Sequence, residues 1–174
     1  MNRFFYADSI MNFLASSENE ILGALTAINS FDLSDLQRNA WQFEIRLLKD
    51  ILTAENDGQI IFEYSIPRLG KRIDVVVLLK GIVFALEFKV GADAYYRQDS
   101  EQVWDYALDL KNFHEASRDL VIVPILVATE ASDSSTTQDL CLYDDRVFEP
   151  VLCNADGLAG VIAEITTKHT GNAD

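Results

Sequence analysis

Apolar residues recur at helical spacing through the first 30 positions: Ile10, Phe13 and Leu14, then Ile21, Leu22 and Leu25, fall on one side. The pattern predicts a helical extension over residues 1–30, closed by the Asn29-Ser30 break. A stronger helix follows. Ser34 is placed to cap it, and Gln37 three residues on completes a capping-box pattern. Leu36, Ala40, Phe43, Leu47, Leu48 and Ile51 keep the 3.6-residue period until Glu55-Asn56-Asp57-Gly58 stops it.

The period then changes. Gln59–Ile66 reads as a strand ended by Pro67. Arg72–Leu79 and Ile82–Val90 are β-branched runs on either side of Lys80-Gly81, the spacing of a tight hairpin. From Gln98 to about Ser117 helical spacing returns, with Val103, Tyr106, Leu110 and Phe113 as the inner stripe. Leu120–Thr129 is short and continuously apolar, as a buried strand should be. A polar loop over Ala131–Gln138, a last strand over Val147–Cys153 and a last helix over Leu158–Thr167 complete the chain. The order predicts one α/β domain over residues 1–174, a mixed central sheet flanked by helices.

Length and charge narrow the function. A chain of 174 residues can bury a proper core. Its 28 acidic against 14 basic residues leave a net charge of −14, which repels phosphate over most of the surface. Binding nucleic acid therefore requires a local basic strip, a bound cation or help from another domain. The longest apolar runs, around Val75–Leu79 and Leu120–Ala128, fall well short of the roughly 20 residues that span a bilayer. The first residues carry no long apolar stretch and no small-residue cleavage site, so no signal peptide is expected. Cys141 and Cys153 form neither a CxxC pair nor a His-containing zinc pattern, which predicts free thiols and a cytoplasmic setting. No GxxxxGK[ST] loop and no nucleophile elbow occur, which argues against a P-loop ATPase and a serine hydrolase.

The hairpin carries the chemistry. A two-residue turn at Lys80-Gly81 sets Asp74 opposite Glu87, their Cβ atoms roughly 4.5–5.5 Å apart. Lys89, two residues beyond Glu87, points to the same face. Two opposed carboxylates repel, and a hard divalent cation removes that repulsion. Lys89 beside such an ion can orient or activate a water or stabilise developing charge. Glu44 lies on the apolar side of its helix and offers a third ligand, unless it pairs with an arginine such as Arg72. Gln102 and Tyr106 share the inner face of the next helix one turn apart. There they either contact a ligand or fix Lys89, or they simply fill the core. Arg68, Lys71 and Arg72 just before Asp74 either guide a phosphodiester backbone towards the site or form a solvated turn. Lys111, His114 and Arg118 make a second basic stripe, more often a solvent face, and His114 lacks a companion at metal-ligand spacing.

These residues resemble a known pattern. Glu44, Asp74, Glu87-Phe88-Lys89 and Gln102-Val103-Trp104-Asp105-Tyr106 are similar to the motifs of the PD-(D/E)XK nuclease superfamily, in particular its QxxxY branch of RecB-like nucleases. The segments 65–90 and 102–113 also resemble the nuclease-like modules at the N-terminus of Schlafen-like DNA/RNA helicases. The resemblance covers about residues 34–130, and Ile73 stands where the superfamily's proline would be. It implies a restriction-endonuclease-like α-β-β-β-α-β core and a Mg²⁺- or Mn²⁺-dependent nuclease acting on nucleic acid, with DNA favoured. Asp74, Glu87 and Glu44 would hold the metal, Lys89 would be the catalytic lysine, and Gln102 and Tyr106 the accessory pair. It also implies the possibility of a helicase domain in a longer protein. The alternative is a catalytically inactive module of the same fold that binds nucleic acid or a helicase partner.

Overall fold

The computed structural model describes residues 2–28, 33–54, 57–67, 69–132 and 142–169. Six strands form one sheet in chain order: β1 (Tyr6–Ser9), β2 (Gly58–Ser65), β3 (Arg72–Leu79), β4 (Ile82–Lys89), β5 (Val121–Ala128) and β6 (Val151–Cys153). The first four run antiparallel, whereas β4–β5 and β5–β6 are parallel. Five helices accompany them: α1 (Ile10–Ala15), α2 (Glu18–Ile28), α3 (Asp35–Ile51), α4 (Arg97–Phe113) and α5 (Leu158–Lys168). The mixed α/β architecture expected from the periodicity is the one observed.

One apolar core gathers α1, α2, α3 and α5 over Phe62, Val75, Val77, Phe84, Leu86 and Val123. A second, smaller one packs Tyr106, Ala107 and Leu110 of α4 against Val76, Val83, Ala85 and Ile122. Successive strand residues point to opposite faces; the sheet is covered on both sides, and its central strands are apolar apart from the ends that carry Arg72, Asp74, Glu87 and Lys89. α4 crosses that second face to connect the parallel pair β4 and β5.

Several elements differ from the sequence reading. The N-terminal segment is not helical throughout: Tyr6–Ser9 is a strand on the edge of the sheet, paired from Tyr6↔Phe62 to Ser9↔Gln59. Four residues are too few for alternation to compete with the helical spacing that starts at Ile10. In α3 the buried face is Trp41, Glu44, Ile45 and Leu48, and Leu36 is exposed. In α4 Ala107 takes the inner place expected of Phe113, which is 46% exposed at the helix end. The last strand is shorter, Val151–Cys153, because Pro150 has no N–H for the ladder; Val147 and Phe148 make only isolated bridges. The breaks at residues 29–30 and 55–56, most of the polar loop, Arg68 and Cys141 lie outside the described residues.

Other expectations match closely. Ser34 caps α3, its Oγ accepting the Gln37 N–H at 3.2 Å. The β3–β4 turn has Lys80 at φ 49° and Gly81 at φ 75°, two left-handed residues in a two-residue hairpin. The register runs Val75↔Leu86 through Leu79↔Ile82, as that turn dictates.

Candidate active site

The ladders change character at the level of Asp74. Between β3 and β4 pairing ends at Val75↔Leu86, one residue short of Asp74 and Glu87. There Asp74 Oδ2 accepts the N–H of Phe88 at 2.8 Å, so its side chain reaches across to the next strand. Between β2 and β3 pairing passes from Phe62↔Val75 to Tyr64↔Ile73, skipping Glu63 and Asp74. Glu63 has φ 53°, a left-handed conformation uncommon for a residue with a side chain. Alternation slips at this point. Phe62 and Val75 face the larger core, whereas Tyr64 and Ile73, two residues along, face the smaller one.

Four carboxyl groups come within electrostatic reach of one another around that slip. Glu44 arrives from α3, Glu63 from β2, Asp74 from β3 and Glu87 from β4. Burial pushes the Glu44 carboxyl well above the usual carboxylate range, and the charges of Asp74, Glu63 and Glu87 push it further. Asp74 is raised well above its range by burial and by Glu87, against the opposing Phe88 N–H. Glu87 is raised by burial, although Lys89 opposes the rise. Glu63 is also raised by burial, held back by the Trp41 Nε1 hydrogen bond of 3.1 Å and by Arg72 at 3.7 Å. Each carboxyl thus disfavours the ionised form of a neighbour, and burial removes the water that would screen it.

Lys89 stands beside them. Its Nζ donates to Glu87 Oε1 at 3.2 Å and lies 3.7 Å from Asp99 Oδ1 on the first turn of α4. Burial alone would lower the Lys89 pKa, but Glu87, Asp99 and Asp74 outweigh it and the net direction is upward. The end of β4 is anchored too: Thr129 Oγ1 accepts the Gly91 N–H at 2.8 Å, and Thr129 N–H donates to the Lys89 carbonyl.

The accessory residues divide. Gln102 Nε2 donates to Tyr106 Oη at 2.6 Å, so Gln102 fixes the tyrosine and not Lys89, which Asp99 holds instead. Tyr106 is raised by burial and then by the nearby Glu87, which puts its phenol beside the carboxyl cluster. The pair opens onto a groove of about 400 Å³ lined also by Lys71, Gln98, Glu101 and Asp105. Of the basic trio, Lys71 borders this groove and pairs with Asp109 at 3.7 Å. Arg72 is spent on Glu63 and on the Phe5 ring, 4.7 Å from the centroid, so it is not the partner of Glu44. The second stripe dissolves: Lys111 Nζ binds the carbonyls of Ser117 and Leu120, and His114 Nδ1 bonds Ser117 Oγ.

Two residues escape the sequence reading. Glu63 and Asp99 belong to the cluster, and the signal for Glu63 was a lone acid inside the apolar run Ile60–Ile66. Asp99 carries no such mark, since an acid in the first turn of a helix is ordinary.

The donor set is all hard oxygen, suited to a divalent cation. Two buried oxygens in it, Glu44 Oε2 and Glu87 Oε2, have no hydrogen-bond partner. Among the described residues, however, no three His, Cys, Asp or Glu are already gathered closely enough to hold an ion. The chemistry of the donors fits a cation; their spacing would have to tighten around it. Among the described residues, no helix is long and apolar enough to cross a membrane. Comparison of the chain with protein-family models, with curated proteins and with solved structures returns no match.

Proposed function

We propose that this chain is a divalent-metal-dependent nuclease, hydrolysing phosphodiester bonds of nucleic acid with DNA as the favoured substrate. The observation that carries this reading is the pair of orphaned, buried oxygens of Glu44 and Glu87 beside Asp74. An unpaired buried carboxyl costs free energy unless it stays protonated or meets a cation. The motif resemblance, PD-(D/E)XK with a QxxxY pair, points the same way.

Asp74, Glu87 and Glu44 would hold Mg²⁺ or Mn²⁺, which supplies Lewis acidity and a template for the phosphate. Lys89, kept protonated by Glu87 and Asp99, orients the attacking water and steadies negative charge on the phosphate. Tyr106, held by Gln102, borders the groove that Lys71, Gln98 and Glu101 line. Asp99 positions the ammonium. A cytoplasmic, reducing setting suits the buried free thiol of Cys153, which burial pushes up to about 12 and so keeps unreactive.

The test is Mn²⁺ calorimetry on the wild type and on Asp74→Asn and Glu87→Gln, followed by incubation with single- and double-stranded DNA and with RNA. Metal heat and cleavage in the wild type, lost in both variants, are the expected result. Cleavage at the wild-type rate by either variant overturns the reading. A second reading, a non-hydrolytic module of this fold that binds nucleic acid or a helicase partner, is favoured by one observation. Among the described residues, no three acids are preassembled around an ion. Metal heat absent and no cleavage with any substrate would select it.

A further inference from the structure

Most cations of this acidic chain are already committed. Arg46, Lys71, Arg72, Lys89, Arg97 and Lys168 pair with carboxylates. Lys49, Lys111 and Arg146 donate to backbone carbonyls. Among the described residues this leaves Arg3, Arg38, Lys80 and Arg118 without an ion pair, and all four are exposed. Two of them, Arg3 and Arg118, line one cavity of about 730 Å³ with Asn112, Phe113, His114 and Glu115. In a molecule of net charge −14, two unneutralised guanidinium groups around one hollow make a local reversal of sign. Glu115 is the one carboxylate in the lining.

Phe113 adds a second feature. It is 46% exposed at the end of α4, one turn beyond the buried Leu110, and it borders the same hollow. An exposed ring beside guanidinium groups offers a flat surface for a base while the arginines take the adjoining phosphate. The position matters as well. The Ser65 N–H donates to the Arg3 carbonyl at 2.6 Å, and Ser65 pairs with Arg72 across the sheet. Ser65 is two residues beyond Glu63, about 7 Å along the strand, so the Arg3 side of the hollow lies near the end of β2 that carries Glu63.

We infer that this cavity is an anchoring subsite for single-stranded nucleic acid, with phosphate on Arg3 and Arg118 and a base stacked on Phe113. A duplex keeps its bases paired and stacked on one another, so it cannot offer one to the ring without opening. The inference deepens the nucleic-acid reading above by naming the form of the substrate, and it does not depend on the hydrolytic step.

The experiment measures anisotropy of a fluorescein-labelled 15-nucleotide oligothymidylate, with the matching duplex alongside, in EDTA at several salt concentrations. The wild type should prefer the single strand. Arg3→Ala with Arg118→Ala should weaken binding about ten-fold or more and reduce the slope of log affinity against log salt by about 1.4. Phe113→Ala should weaken it about ten-fold at every salt concentration. Arg38→Ala with Lys80→Asn makes the same charge change elsewhere and should stay within about two-fold of the wild type. Unaltered far-ultraviolet dichroism keeps a folding defect apart from a binding defect. No binding by the wild type, a preference for the duplex, or equal losses in the two double variants each overturns the inference. Binding that survives in EDTA without any metal-dependent cleavage sinks the hydrolase alone. Cleavage unaffected by Arg3→Ala, Arg118→Ala and Phe113→Ala sinks this subsite alone.

Discussion

At the scale of single residues, the buried carboxyl cluster makes stability depend on pH. Glu44 has its pKa raised in the folded protein, so between the ordinary carboxylate value near 4 and the raised one the folded state binds more protons than the unfolded. Stability contributed by protonated Glu44 is therefore present at low pH and lost as pH rises through that window. Glu44→Gln cannot lose it. The variant's melting temperature, relative to the wild type, should climb from about pH 4 upward; a pH-independent difference would contradict the placement of Glu44. Lys89 is also raised, but its protonated form is the charged one. Its raised pKa keeps it charged well past neutrality, so Lys89→Met should lower cleavage by about 10²–10³-fold, while calorimetry still detects Mn²⁺. A variant that cleaves normally would remove Lys89 from the reaction.

At the scale of elements, two glycines and a lysine decide how the strands and helices meet. Gly58 opens β2 where a Cβ would sit 2.0 Å from the Leu78 carbonyl oxygen on β3. Backbone cannot yield as a side chain can, so Gly58→Ala should cost at least about 2 kcal/mol in chemical denaturation. Gly81, at φ 75°, closes the turn that places Glu87 across from Asp74. Gly81→Val should cost about 1–2 kcal/mol, because a branched side chain resists that conformation. Lys49 ties α3 to α1: its Nζ donates to the Phe13 carbonyl at 2.6 Å and to those of Leu14 and Ser16, the exposed end of a short helix. The charge is more than decoration there, since these carbonyls would otherwise end α1 with few partners.

At the scale of the molecule, a cation should act as a brace between elements that the sheet alone leaves repelling one another. Glu44, Asp74 and Glu87 come from α3, β3 and β4, and a ligand that binds only the folded state stabilises it by mass action. Saturating Mn²⁺ should raise the melting temperature more at pH 8 than at pH 5, because protons compete for the same raised-pKa oxygens. Differential scanning calorimetry reads this directly, and Glu87→Gln should abolish the shift. An equal shift at both pH values would point to binding elsewhere on this acidic surface.

Much of this was legible one residue at a time. The α/β order, the capped start of α3, the hairpin turn and the register that brings Asp74 towards Glu87 follow from periodicities and turn chemistry, which are local and act within a few residues. Legibility ended where distant parts of the chain correct one another. The edge strand Tyr6–Ser9 exists because β2 offers it a partner 50 residues away, and the buried face of α3 turned out to include Glu44 with Trp41 because of what packs above it. Only the folded sheet showed that alternation slips at Glu63, that Asp99 rather than Gln102 steadies Lys89, and that Arg72 is committed to Glu63. Sequence settles which backbone shapes are cheap; which charges share a dry space depends on approach in three dimensions, and that is decided by packing.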